Sequence, residues 1–188
     1  MNYDEELANH DKKIRAEVIN KVLDDKDLTK ADKLSYLKRG LSDAHDYVRT
    51  NSVEALATFN DTEVAKILIE RAIEDPFWAV RFLILRKFDQ QGWDPNPYFN
   101  QLEQLKSDLK PQVRIETAKL FAKINTPEAW QNVLELFYDK DEAVRKEIHV
   151  LLENSTDPDA KKKMEDYKRK LAEKEAKEKA IKAMFDGI

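Results

Sequence analysis

A Val-Arg dipeptide returns four times along this chain, at Val48-Arg49, Val80-Arg81, Val113-Arg114 and Val144-Arg145, in steps of 32, 33 and 31 residues. Five residues before each Val stands an Asp: Asp43, Asp75, Asp108 and Asp139. Four and eight residues after each Val the side chains stay small or apolar, as Ser52 and Leu56, Ile84 and Phe88, Thr117 and Phe121, and Ile148 and Leu152. A fixed period with one internal pattern marks a repeat array, in which a unit buries its apolar face only against its neighbours.

The spacing after each Val follows a 3.6-residue period, which predicts a helix opening near each Asp and running about ten residues past the Val. Asp suits a helix start, because its carboxylate accepts orphan backbone N–H groups and faces the positive end of the helix dipole. An apolar stretch precedes each Asp, over 34–41, 64–73, 102–105 and 130–137. Each unit therefore reads as helix, turn, helix.

The pattern Asp-x-x-x-x-Val-Arg, with a small residue at +4 and an apolar one at +8, resembles the HEAT-like repeats typified by bilin lyases, over residues 30–154. The resemblance implies an all-α fold, a right-handed α-α superhelix (a HEAT-like solenoid) of about five helical pairs with a charged C-terminal helix. It also implies a ladder in which Asp and Arg of adjacent repeats meet, assigning Asp43, Arg49, Asp75, Arg81, Asp108, Arg114, Asp139 and Arg145 to structural pairing. A planar guanidinium suits such partly buried pairing. HEAT-like proteins include scaffolds, lyases and nucleic-acid enzymes, so the fold does not select the function.

The expected organisation is a repeat array over 1–158, with 1–29 as an N-terminal cap, and a charged helical tail over 159–188. Residues 3–24 read as one amphipathic helix with a stripe of Ile14, Val18, Ile19, Val22 and Leu23. Within it Ile14-Arg15 mimics the repeated dipeptide, but Asn9 stands where the acid belongs, as befits an atypical terminal repeat. Thr29 and Asp32 form a capping-box pattern ahead of the next helix. Gly40 falls near that helix's end, where a left-handed residue is cheap. The tail is rich in Ala, Glu and Lys. Its Met164, Tyr167 and Leu171 extend an apolar stripe that caps the array. Ile181, Met184 and Phe185 close it as a small apolar cluster, which either frays as a chain end or docks into a groove of its own or a neighbouring copy, a route to self-association.

The helix after Asp75 departs from the others. Its stretch Phe77-Trp78-Ala79-Val80-Arg81-Phe82-Leu83-Ile84-Leu85 is apolar nearly all round. Such a helix is either enclosed by neighbours or open to a partner. The irregular stretch 89–97 follows, where Gly92 and two prolines forbid helix and Trp93 either staples the loop or lines a groove. Trp78, Phe82, Leu83, Arg86 and Trp93 are the candidate partner-binding residues, since Trp and Arg are favoured interface anchors.

No catalytic constellation accompanies them. There is no Cys, and three glycines leave no phosphate cradle. His10, His45 and His149 fall in no metal-ligand spacing, so neither metal nor cofactor is expected. A net charge of −4 argues against a sequence-independent DNA coat. Charge is uneven, with 11 acids against 6 bases over 41–105 and 10 bases against 7 acids over 159–188. Some HEAT-like proteins are alkylpurine DNA glycosylases using Asp, Trp and Arg, and Asp75, Trp78 and Arg81 have those types. The favoured expectation is a non-catalytic, cytosolic scaffold binding a protein or peptide along the concave face of the array. Nucleic-acid binding is the alternative, and no membrane role is expected.

Overall fold

A computed structural model describes residues 3–186, apart from the side chains of Tyr167, Lys170, Leu171, Lys174, Glu175, Glu178 and 180–186. Every regular element among the described residues is helical. In chain order the helices are α1 (Tyr3–Leu7), α2 (Lys12–Asp24), α3 (Lys30–Leu41), α4 (Asp46–Ala57), α5 (Thr62–Glu74), α6 (Trp78–Gln91), α7 (Phe99–Leu105), α8 (Pro111–Ile124), α9 (Pro127–Glu135), α10 (Glu142–Glu153) and α11 (Pro158–Asp186). A 3-10 turn over Asn96–Tyr98 leads into α7, and another over Leu136–Tyr138 ends α9. The chain divides into two compact units, residues 1–120 and 121–188.

In the first unit α4 packs against α2, α3 and α6, while α5 packs against α6 and α7. The second helices of successive pairs thus lie side by side, with the first helices layered on them. The repeat positions form the interior: Val48, Leu56, Val80, Ile84, Phe88 and Val113 are fully enclosed, as are the hydroxyl residues Ser52 and Thr117. Ser52 and Thr117 donate their hydroxyls to the carbonyls of Val48 and Val113, one turn back, so neither is left unsatisfied.

The expected single helix over 3–24 is broken into α1 and α2. Asp11 caps α2 by accepting from the Lys13 N–H, and Asn9 Oδ1 accepts from the Asp11 N–H at 2.8 Å. Asn9 makes the same turn that Asp43, Asp75, Asp108 and Asp139 make with the N–H two residues on. The first repeat is therefore complete in its turn chemistry, with Asn replacing Asp. The motif Asp is also not the helix cap that its position suggested. Helices α4, α6, α8 and α10 begin three residues after it. The side-chain turn occupies one carboxylate oxygen with a local N–H and leaves the carboxylate free to bind an Arg as well.

Gly40 lies within α3 in ordinary helical conformation; Gly92 is the glycine at positive φ (66°), where it ends α6. What Gly40 provides is space. A Cβ there would stand 2.5 Å from Ile19 Cδ1 and closer still to the Ser52 hydroxyl, between α2 and α4. Helix propensity alone says that a side chain at this site helps. Gly40→Val is instead expected to destabilise the protein by about 1–3 kcal/mol through overpacking, read as a lowered urea midpoint. An unchanged or raised midpoint would show that α2 and α4 can part without cost.

In the second unit α10 packs on the 3-10 turn Leu136–Tyr138 and on α11. Val144, Ile148 and Leu152 are buried there with Trp130, Val133, Phe137 and Met164. His149 stacks on Phe137 with ring centroids 4.6 Å apart. The first turns of α11 are held to this unit by Lys163 donating to Gln131 and by a Lys168–Glu153 ion pair. The stripe residues Tyr167 and Leu171, and the closing cluster of Ile181, Met184 and Phe185, lie outside the described side chains.

Candidate functional site

The repeated Asp and Arg meet across successive second helices of the first unit. Arg15 grips Asp43 through Nε and Nη2 at 2.6 and 2.8 Å. Arg49 grips Asp75 at 2.8 Å through both nitrogens, and Arg81 grips Asp108 at 2.7 and 2.9 Å. The third donor of each fork turns back on its own repeat: Nη1 of Arg15, Arg49, Arg81, Arg114 and Arg145 donates to the carbonyl six residues earlier. One Arg thus fastens its own turn and the next repeat's turn together. Such bidentate, charge-assisted pairs fix geometry as well as charge. The Asp75 side chain is 0% exposed and also receives Arg71 Nε at 2.8 Å, while Arg49 is 4% exposed.

This arrangement has an acid limit. Burial pushes the Asp75 carboxyl up, but Arg49, the Phe77 N–H and Arg71 outweigh it and hold it below the usual carboxylate range. Burial likewise raises Asp43, and Arg15 with the His45 N–H brings it down. An unfolded Asp titrates near ~3.9. Because the native values are depressed, these groups contribute their full stabilisation above about pH 4 and lose it as pH falls through the native values. Unfolding free energy measured against pH is expected to fall off below about pH 4, and less steeply in Asp75→Asn. An identical acid limb in that variant would assign the loss to other carboxylates.

Helix α6 divides into two faces. Val80, Ile84, Leu85 and Phe88 are buried, whereas Trp78, Phe82 and Leu83 are half-buried and Arg86 is exposed. The apolar stretch is therefore core on one side and surface on the other. Phe77, 38% exposed, lies 6.4 Å from the Trp78 ring, and Trp78 lies 6.2 Å from Phe82. The Arg86 guanidinium sits 5.6 Å over Phe82, and the Lys110 ammonium 6.0 Å from the Trp78 centroid. Leu109, beside Lys110 in the chain, is 83% exposed. Trp78, Phe82 and Arg86, spaced by four along α6, fall in one row.

Trp93 does not join that row. It is 8% exposed, packed edge-on against Phe88 at 5.2 Å, with Tyr98 edge-on against the same ring at 5.5 Å. Its indole N–H is buried without an acceptor. The loop residue is a staple over Phe88, and it is removed from the set of partner-binding candidates because almost no surface is left to touch.

Phe77, Leu109 and Lys110 were missing from the sequence-based set. The signal that locates Lys110 is repeat register. Three residues before Val113, it meets Trp78, two residues before Val80; His45 and Lys12 hold the same two register positions two repeats earlier and lie 2.7 Å apart. The Asp75, Trp78 and Arg81 trio of the glycosylase reading does not assemble, since Asp75 is enclosed by Arg49 and Arg71 and Arg81 is bound to Asp108. Among the described residues no group of three or more His, Cys, Asp or Glu is placed to hold a metal ion. No described helix is long and apolar enough to cross a membrane.

In the second unit, a groove of about 380 Å³ has an apolar floor of Leu134, Phe137, Leu152 and Met164. Two polar groups on its rim already have partners: Lys163 binds Gln131, and Asp166 pairs with Arg169 at 3.0 Å.

The sequence pattern of HEAT repeats matches residues 5–86 and 101–184, most of the chain. The chain belongs to the HEAT repeat family. Nothing distinguishes a bilin-lyase subtype within it. A comparison with curated proteins returns no match. Among solved structures, a chain of microtubule polymerases with Tumor Overexpressed Gene (TOG) domain arrays, from work on tubulin recruitment and assembly, is 16% identical with a TM-score of 0.58. That alignment covers 90% of this HEAT-repeat chain and 45% of the other. A designed armadillo repeat protein is 19% identical with a TM-score of 0.49, covering 87% and 86% of the two chains. A computationally designed armadillo repeat protein for modular peptide recognition is 20% identical with a TM-score of 0.47, again covering 87% and 86%. At these identities the likeness is one of fold.

Proposed function

We propose that this HEAT-repeat protein is a non-catalytic scaffold that captures a helix or extended peptide of a protein partner on the exposed row of α6. The observation that carries the reading is the cluster of Phe77, Trp78 and Phe82, left partly open beside two cations although the core side of the same helix is fully packed. Large aromatic side chains with adjacent Arg are the residues that dominate binding energy at protein interfaces. Leu83 widens the apolar area, and Arg86 supplies a directional donor.

Selection of peptides from a random display library on the intact protein tests this. Enriched peptides are expected to bind Trp78→Ala at least about 30-fold more weakly, about 2 kcal/mol, while the variant keeps the parent's helical circular dichroism. Trp78 is half-buried at the surface, so its removal leaves the core side of α6 intact. Peptides that bind parent and variant equally, or a selection that enriches nothing, would overturn the reading.

A further inference from the structure

We infer that the segment received by α6 is acidic and apolar: a peptide of a protein partner that sets two carboxylates on either side of an apolar or aromatic side chain. The inference rests on the docking reading above and names the chemistry of its partner.

The argument begins with ion pairing. Several cations of the first unit meet carboxylates: Arg15, Arg49, Arg71 and Arg81 meet ladder acids, Lys21 meets Glu6, and Lys87 meets Glu54, while Lys12 meets His45 and Lys33 the Leu23 carbonyl. Arg86 and Lys110 are exposed and in no ion pair among the described residues; each instead lies against an aromatic ring. Lys110 stands at the Trp78 end of the row and Arg86 at the Phe82 end. The patch is thus apolar in the middle and cationic at both ends. A carboxylate brought to either end gains a charge-assisted hydrogen bond without displacing a resident one. An apolar side chain in the middle covers Trp78 and Phe82 and, by excluding water, strengthens both charged contacts.

The span sets the spacing. Trp78 and Arg86 are eight residues apart on one helix, a rise of about 12 Å. A helical partner covers that distance with acids about seven or eight residues apart. An extended one covers it with acids about four residues apart.

A nucleic-acid strand also offers anions and stacking surfaces, but the setting disfavours it. Residues 41–105 carry 11 acids against 6 bases. Arg86 lies in this acidic stretch and Lys110 just beyond it; two such cations match two carboxylates, whereas a continuous phosphate chain requires several neutralising bases.

The test reads the sequences that the display selection enriches. Trp78-dependent peptides are expected to be enriched in Asp and Glu flanking an aromatic or aliphatic residue at one of those spacings. The enriched peptides are expected to bind Arg86→Glu and Lys110→Glu each at least about tenfold more weakly. Selection on the double charge-reversal variant is expected to turn the flanking positions to Lys and Arg. Both sites are exposed, so these variants fold as the parent does. Trp78-dependent peptides with no acidic bias would overturn this inference and leave the docking reading standing. A selection without Trp78-dependent peptides would overturn both. Tighter binding of oligo(dT) or poly(U) than of any peptide, with steep salt dependence, would reassign the patch to nucleic acid.

Discussion

Asp75→Ala lowers the stability of the protein by about 3–5 kcal/mol, the largest single-residue loss expected from a polar position. The cost does not come from the net worth of the ion pair, since desolvation of a buried pair offsets much of its attraction. It comes from what remains. Arg49 is 4% exposed and keeps its charge, with its fork still aimed at the vacated carboxylate. The Phe77 N–H loses its acceptor at the mouth of α6, and Arg71 loses its partner one turn away. Chemical denaturation followed by circular dichroism should show a midpoint lowered by roughly 2 M urea, for a slope of about 2 kcal/mol per molar. Asp75→Asn is expected to fall between parent and Asp75→Ala. Asn9 already makes the same turn in the first repeat, so the amide restores the local hydrogen bond but not the charge. A loss under about 1 kcal/mol in Asp75→Ala would mean that water reaches Arg49 and the ladder is dispensable.

Phe88→Ala is the apolar counterpart, with an expected loss of about 3–5 kcal/mol. Phe88 is among the largest fully buried side chains and holds the eighth position after the repeat Val. It also carries two rings that anchor the irregular loop, Trp93 at 5.2 Å and Tyr98 at 5.5 Å. The cavity therefore removes contacts from α6 and from the segment that leads into α7. Two readouts separate these effects. The urea midpoint reports the cavity, and tryptophan fluorescence shifts to the red as Trp93 gains water. Phe88→Leu, which keeps most of the volume, should cost less than about 1.5 kcal/mol. A blue, unchanged emission in Phe88→Ala would show that Trp93 is held by contacts other than Phe88.

Much of this fold was legible because a repeat writes its pattern several times. The buried set at Val, +4 and +8 coincides with the period read from the chain. Thr29 with Asp32 marks a helix start where local hydrogen bonding places it. Local signals misled where a side chain had two uses. An Asp before an amphipathic run reads as a cap, yet its carboxylate makes a turn and grips an Arg 26–28 residues away in sequence. The apolar stripe begins only at Ile14 and carried no information about the break at Asn9–Asp11, where the turn is made by side-chain oxygens that hydropathy does not register.

By itself the sequence determined that this is an all-helical repeat protein and which positions face the interior. Those follow from its period, a local property, whereas the pairing of Asp with Arg between repeats was implied by the resemblance to HEAT-like repeats. Tertiary structure alone decided the roles of residues that look alike in the chain. Gly40 is small because α2 and α4 converge on it, not because its backbone is unusual. Trp93 is interior and Trp78 is at the surface, although Trp93 stands in a polar loop and Trp78 in an apolar stretch. Lys110 faces Trp78 only because successive repeats bring their helix starts together. The physical reason is common to all three. Exposure and contact depend on how one helix is rotated and spaced against its neighbours, and that angle is set by the packing of every side chain between them.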